Sequence, residues 1–151
     1  MGTNGLHLER GTEMSTTIRP TVSKRNPYWI DKHRYYELKH FCLQYPEWQR
    51  ELSILDGYIR HIQISQAMAQ NKGQLRDPIS EAVEERLEYS RWSTLLEHTA
   101  KEAAKELSSY LLKGVTEGMS YDILRVRMAI PCCKDTYYEL YRRFFWLLSK
   151  K

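Results

Sequence analysis

Hydrophobic residues recur at helical spacing from residue 32 to the end of the chain, and the period breaks at a few marked places. Tyr35, Leu38, Phe41 and Cys42 share one stripe of a first helix, roughly 32–44, with Asp31 placed to accept from the free N–H groups of its first turn. Tyr45-Pro46 then interrupts, because proline disfavours helix in the residue before it yet fits a helix's first turn. A second helix is predicted from about 46 to 71, where Trp48, Leu52, Leu55, Ile59 and Ile62 alternate at spacings of four and three. Gly57 lies inside it, a choice that costs about 1 kcal/mol relative to alanine and suits a close helix crossing.

NKGQLRDP, residues 71–78, reads as a turn, and Asp77-Pro78 opens a third helix with a cap and a first-turn proline. That helix is predicted to run to about 112. Ile79, Val83 and Leu87 begin its stripe; Trp92, Leu95, Leu96, Thr99, Ala103, Leu107 and Leu111 continue it with a drift. Gly114 and Gly118 punctuate the chain. Ser120 caps a short helix of about 121–128 that turns Tyr121, Leu124 and Met128 inward, and Ile130-Pro131 stops it. Cys133 or Asp135 caps the last helix, which runs to about Leu148 with Tyr137, Leu140, Tyr141, Phe144 and Leu148 as its core face.

The pattern predicts an all-α protein in three parts. Residues 1–30 form a flexible N-terminal arm ending in a Tyr28-Trp29-Ile30 anchor. Residues 31–113 form a helical body whose second and third helices make a long antiparallel hairpin. Residues 114–151 form a helix-turn-helix module. Within the arm, Glu9-Arg10-Gly11 just ahead of Met14 is read as a translated ribosome-binding site, which places the native start at Met14.

Composition narrows this little. With 42% hydrophobic and 28% charged residues, a chain of 151 can bury a core without disulfides or metals. Cys42, Cys132 and Cys133 are odd in number and two are adjacent, so no disulfide framework is expected. With no apolar run of membrane length and no hydrophobic leader core, a cytoplasmic, reducing location and no membrane partner are expected.

Charge changes the picture more. The formal net charge is +4, but residues 77–106 hold eight acids against four bases, and residues 119–151 hold seven bases against three acids. The positive end is where a polyanion would dock.

Two short helices joined by a compact turn, the second of them cationic, is the arrangement that places a recognition helix in the major groove. The recognition helix is predicted at about 134–148. Lys134, Asp135, Thr136 and Tyr138, near its N-terminus, are assigned to base contact. Arg142 and Arg143 suit phosphate, with Arg125, Arg127 and the terminal lysines as auxiliaries. The alternative is an amphipathic C-terminal helix docked on the bundle with its arginines in solvent.

IPCCKDTYYELYRRFFWLLSK resembles the C-terminus of small phage and prophage transcription regulators of the RinA and ArpU type, whose ends are similar to sigma-factor region 4. YWIDKHRYYELKHFCLQYPEWQ resembles the start of prophage proteins of the same kind; the middle is alike only in being helical. The resemblance implies activation of phage late genes through a sigma-like helix-turn-helix, with Lys134, Thr136, Tyr138, Arg142 and Arg143 facing DNA. It also implies a glycine in the tight turn where Cys133 stands.

Other chemistry finds no support in the sequence. Cys132-Cys133 lacks a CxxC partner, and His33, His40 and Cys42 do not reproduce a zinc spacing, so no metal is expected. No phosphate loop, GxSxG or HExxH is present, and the Glu84-Glu85-Glu88 cluster lies on a solvated face, so no catalytic residue, cofactor or enzyme activity is expected. The aromatic cluster of Tyr28, Trp29, Tyr35, Tyr36, Phe41, Tyr45 and Trp48 reads as a small core rather than a base-stacking platform.

The leading expectation is a sequence-specific transcriptional regulator of phage origin that binds double-stranded DNA. A module this small offers a small interface, so a homodimer or RNA polymerase contact would be needed. The alternative is a helical assembly protein, such as a small terminase-like DNA-packaging component, followed by a plain helical adaptor.

Overall fold

The computed structural model describes residues 24–68 and 78–151. Every regular element among them is helical: α1 (Lys32–Leu43), α2 (Tyr45–Met68), α3 (Pro78–Ala104), a 3₁₀ turn (Lys105–Leu107), α4 (Ser108–Glu117), α5 (Tyr121–Met128) and α6 (Lys134–Ser149). The all-α expectation is met. None of these helices is long and apolar enough to cross a membrane. Most of the N-terminal arm, including the Met14 start, and the turn after α2 lie outside the described residues.

Local chemistry sets most of the boundaries. The Asp31 carboxylate accepts from the His33 N–H at 2.9 Å and starts α1, and Ser120 does the same for α5 through Ile123 N–H. Gly118, at φ 66°, ends α4 in the left-handed cap that glycine adopts without a Cβ penalty. α2 and α3 pack as the expected hairpin, with Trp48 and Leu55 buried and Leu52, Ile59 and Ile62 half-buried. At its base, Phe41, Trp48 and Trp92 make a ring cluster, with centroids 4.9 Å apart for Phe41–Trp48 and 5.2 Å for Trp48–Trp92. Most of the N-terminal aromatics thus serve packing, and Ile30 is buried as an anchor, but Trp29, expected in the same anchor and core, is exposed.

Three sequence expectations are corrected. The third helix does not run unbroken to 112: Lys105 takes a positive φ of 48°, and the 3₁₀ turn it opens separates α3 from α4. Gly114 does not punctuate but lies within α4, where a Cβ would stand 2.1 Å from Tyr137 Oη. Glycine therefore lets α6 approach α4 closely. Val83 and Leu87 are exposed, and Ala82 is buried in their stead, because α2 covers only one side of α3.

The C-terminal segment shares the body's core. α6 packs against α3, α1 and α4, and one cluster of buried residues runs from Ile30 to Leu148. The Tyr35 and Tyr141 hydroxyls are hydrogen-bonded at 2.8 Å, tying α1 to α6. Burial pushes the Tyr35 phenol up to about 12 and raises those of Tyr137 and Tyr141 as well.

Candidate nucleic-acid interface

α5, its following turn and the first turn of α6 have the order that a helix-turn-helix requires. α5 has Asp122 in its first turn and Arg125 and Arg127 in its last, each suited to the helix dipole. Ala129 then takes the left-handed conformation (φ 50°, ψ 48°), its N–H donating to Arg125 O at 3.2 Å. Ile130 turns inward and is buried, and Pro131 follows. Cys133 stands at the N-cap of α6 in extended backbone (φ −79°). The resemblance put a glycine-type turn at Cys133. The left-handed residue is Ala129 instead, four positions earlier, so the cysteine carries no backbone strain.

Tyrosine contacts fix the angle between the two helices. Tyr121 Oη donates to Cys132 O at 2.6 Å, Tyr121 N–H donates to Tyr138 Oη at 3.2 Å, and the Tyr121 and Tyr137 rings lie 5.9 Å apart. Tyr138 is therefore a positioning residue. At 9% exposure, inside the core, it does not face outward as expected. The inward face of α6 consists of Tyr137, Tyr138, Tyr141, Phe144, Phe145 and Leu148, wider than the expected face, and Leu140 is only half-buried. The widening follows from α6 being central, with neighbours on several sides.

The other predicted contact residues divide into two groups. Lys134, Asp135 and Thr136 are exposed at the start of α6, and Arg125 and Arg127 are exposed on α5. Helical spacing puts Arg143, half-buried, on the same face as Thr136 and Glu139. Arg142 departs from the expectation of a free phosphate contact. It is half-buried, and its Nε is shut from water with no hydrogen-bond partner among the described residues. Helical rotation puts Arg142 toward the buried side, about 80° from Lys134.

The surface is less cationic than the segment's charge suggests. Lys134 Nζ lies 3.9 Å from Asp122 Oδ2, and Asp135 and Glu139 are exposed beside it. Exposed pairs of this kind contribute little energy but dilute the local field. Ile123 and Val126 also stand in solvent on α5, Val126 at 85% exposure. The sequence reading missed both, although they fall between the inward positions Tyr121, Leu124 and Met128. At the start of α6, Cys133 Sγ lies 3.1 Å from Thr136 Oγ1, and this side-chain hydrogen bond, with that from the Thr136 backbone, lowers the thiol's pKa. Among the described residues no group of three His, Cys, Asp or Glu side chains is placed to hold a metal ion.

Comparison of the chain with protein-family models, with curated proteins and with solved structures finds no match to any of them.

Proposed function

We propose that the protein is a sequence-specific DNA-binding regulator that reads the major groove with the α5–turn–α6 unit. The observation that carries this reading is the exposure of Lys134, Asp135 and Thr136 in the first turn of α6, with Arg125 and Arg127 exposed on α5 and the opposite face of α6 locked in the core. A recognition helix needs both properties: an open N-terminal turn to meet base edges, and a rigid mount that fixes its angle. Thr136 is the candidate for base contact, Lys134 and Asp135 flank it, and Arg125, Arg127 and Arg143 grip phosphate. Tyr138 and Arg142 act behind this surface. The resemblance to RinA- and ArpU-type regulators supports transcription as the setting, with RNA polymerase as a second partner.

Two classes of substitution test the assignment. Arg127→Ala should weaken binding to all sequences alike and lower the salt dependence by about one phosphate's worth. Thr136→Ala should change sequence preference, by about 1–3 kcal/mol at one base pair. Unchanged affinity in both would exclude this surface as the DNA site.

The assembly reading, a small terminase-like packaging component, draws on one observation of its own: the outer half of the hairpin leaves Ile54, Ile64 and Met68 in solvent. A closed ring of many subunits would favour it over a regulator.

A further inference from the structure

α2 has two apolar faces, and α3 covers one of them. The covered face holds Trp48, Leu55, Ile59 and Ile62. Nearly opposite, Ile54, Gly57, Tyr58, His61, Ile64 and Met68 fall within one 120° sector of the helix, and all are exposed. The exposure is large for apolar side chains, 57% at Ile54 and 82% at Met68. Between residues 54 and 68 this sector holds no carboxylate, lysine or arginine. Gly57 lies within it, about one turn from its start, and a Cβ there would meet no described atom within 4 Å. No packing within the described fold demands glycine at that point, whereas a second helix crossing there would.

The order of side chains along the face indicates what covers it. In an antiparallel pairing centred on His61, Ile54 meets Met68 of a second copy, Gly57 meets Ser65, Tyr58 meets Ile64, and His61 meets His61. The large apolar side chains Ile54 and Met68 find each other, and the two small residues, Gly57 and Ser65, fall opposite one another about one turn from the centre. A surface that matches itself under a two-fold rotation is the mark of an isologous dimer. The four exposed apolar side chains lie along about 20 Å of helix. Two such faces together enclose on the order of 1,000 Å², the size at which specific interfaces begin.

We infer that a second copy of this chain docks on the outer face of α2, forming an antiparallel two-fold dimer centred on His61. The inference does not depend on the DNA reading.

Sedimentation velocity on the full chain, from low to high micromolar, tests it together with directed cross-linking. The wild type should sediment as a dimer. Ile64→Lys, at an exposed position that the monomer fold does not use, should keep the helical circular dichroism and lower the association constant at least about tenfold. With Cys132→Ser and Cys133→Ser in place, His61→Cys should form an intermolecular disulfide under mild oxidation, and Gln63→Cys, on the same helix but off the face, should not. A wild type that stays monomeric, a higher oligomer, an Ile64→Lys variant with unchanged mass, or equal cross-linking at both cysteines would each overturn the inference.

Discussion

Alanine at Gly114 should destabilise the protein, and alanine at Gly57 should stabilise it, although the chemical change is the same and both glycines lie inside helices. At Gly114 the new methyl would stand 2.1 Å from Tyr137 Oη and 3.3 Å from both Tyr137 Cζ and Leu124 Cδ1. Tyr137 is 1% exposed, and its ring lies 5.0 Å from that of Tyr138 and 6.2 Å from that of Tyr141, so it has nowhere to swing. Overpacking a tight core costs about 1–3 kcal/mol, and so short a contact belongs at the upper end. Alanine's better helix propensity returns about 1 kcal/mol. The net is a loss of about 2 kcal/mol, or roughly 4–8 °C in Tm for a chain of this size.

Gly57→Ala meets open space and keeps the propensity gain, a rise of about 2–4 °C. Both variants are best measured by thermal and urea denaturation on an Ile64→Lys background, which holds the α2 face out of any dimer. Tyr137→Phe completes the cycle. The Tyr137 hydroxyl is buried without a hydrogen-bond partner among the described residues, so its removal should cost little and should rescue Gly114→Ala by about 1–2 kcal/mol. If Gly114→Ala stabilised as Gly57→Ala does, or if Tyr137→Phe gave no rescue, the close approach of α4 and α6 would be refuted.

Three further outcomes follow from the same structure. The buried phenols make the fold sensitive to alkali: Tyr35 titrates near 12 when folded against about 10 when unfolded. Its contribution is fully present below pH 10 and is lost as pH rises through 12, at up to about 1.4 kcal/mol per pH unit, so Tm should begin to fall above pH 10; a Tm flat to pH 12 would contradict this burial. Among the cysteines, exposed Cys133 should label fastest with iodoacetamide, Cys132, whose thiol burial pushes up, more slowly, and buried Cys42 only on unfolding, as peptide mass mapping over time would read. Glycine at Lys105 or Ala129, the two non-glycine residues with positive φ among the described residues, should stabilise by about 0.5–1 kcal/mol in urea melts, since relief of the left-handed penalty exceeds the added chain entropy.

What the sequence made legible was what short-range chemistry decides. Asp31, Ser120 and Pro131 marked the ends of α1 and α5 because caps and proline act within a turn of where they stand. The hairpin was legible because Trp48, Leu55 and Ile62 repeat over several turns. The break at Lys105 was not, since neither lysine nor its neighbours signal a positive φ. On α6 the spacing gave Tyr137, Tyr141, Phe144 and Leu148 correctly. It missed Tyr138 and Phe145 because nine of the twelve residues from 137 to 148 are aromatic or leucine, and which side of such a helix is buried depends on α1, α3 and α4 surrounding it. The same ambiguity placed Tyr138 and Arg142 among the outward-facing residues. Lys134, Asp135, Thr136, Arg125 and Arg127 lie outside that ambiguous stretch, and all five are exposed as expected.

DNA binding itself is tested most directly by fluorescence anisotropy of the purified full chain with its own flanking genomic DNA, at two salt concentrations and with unrelated DNA as competitor. The account predicts binding that survives the competitor, weakens with salt in proportion to a few phosphate contacts, and loses its sequence preference in Thr136→Ala. Binding that vanishes at moderate salt or in the presence of competitor, or that is absent altogether, would contradict it and leave α6 as a core helix whose exposed first turn reads nothing.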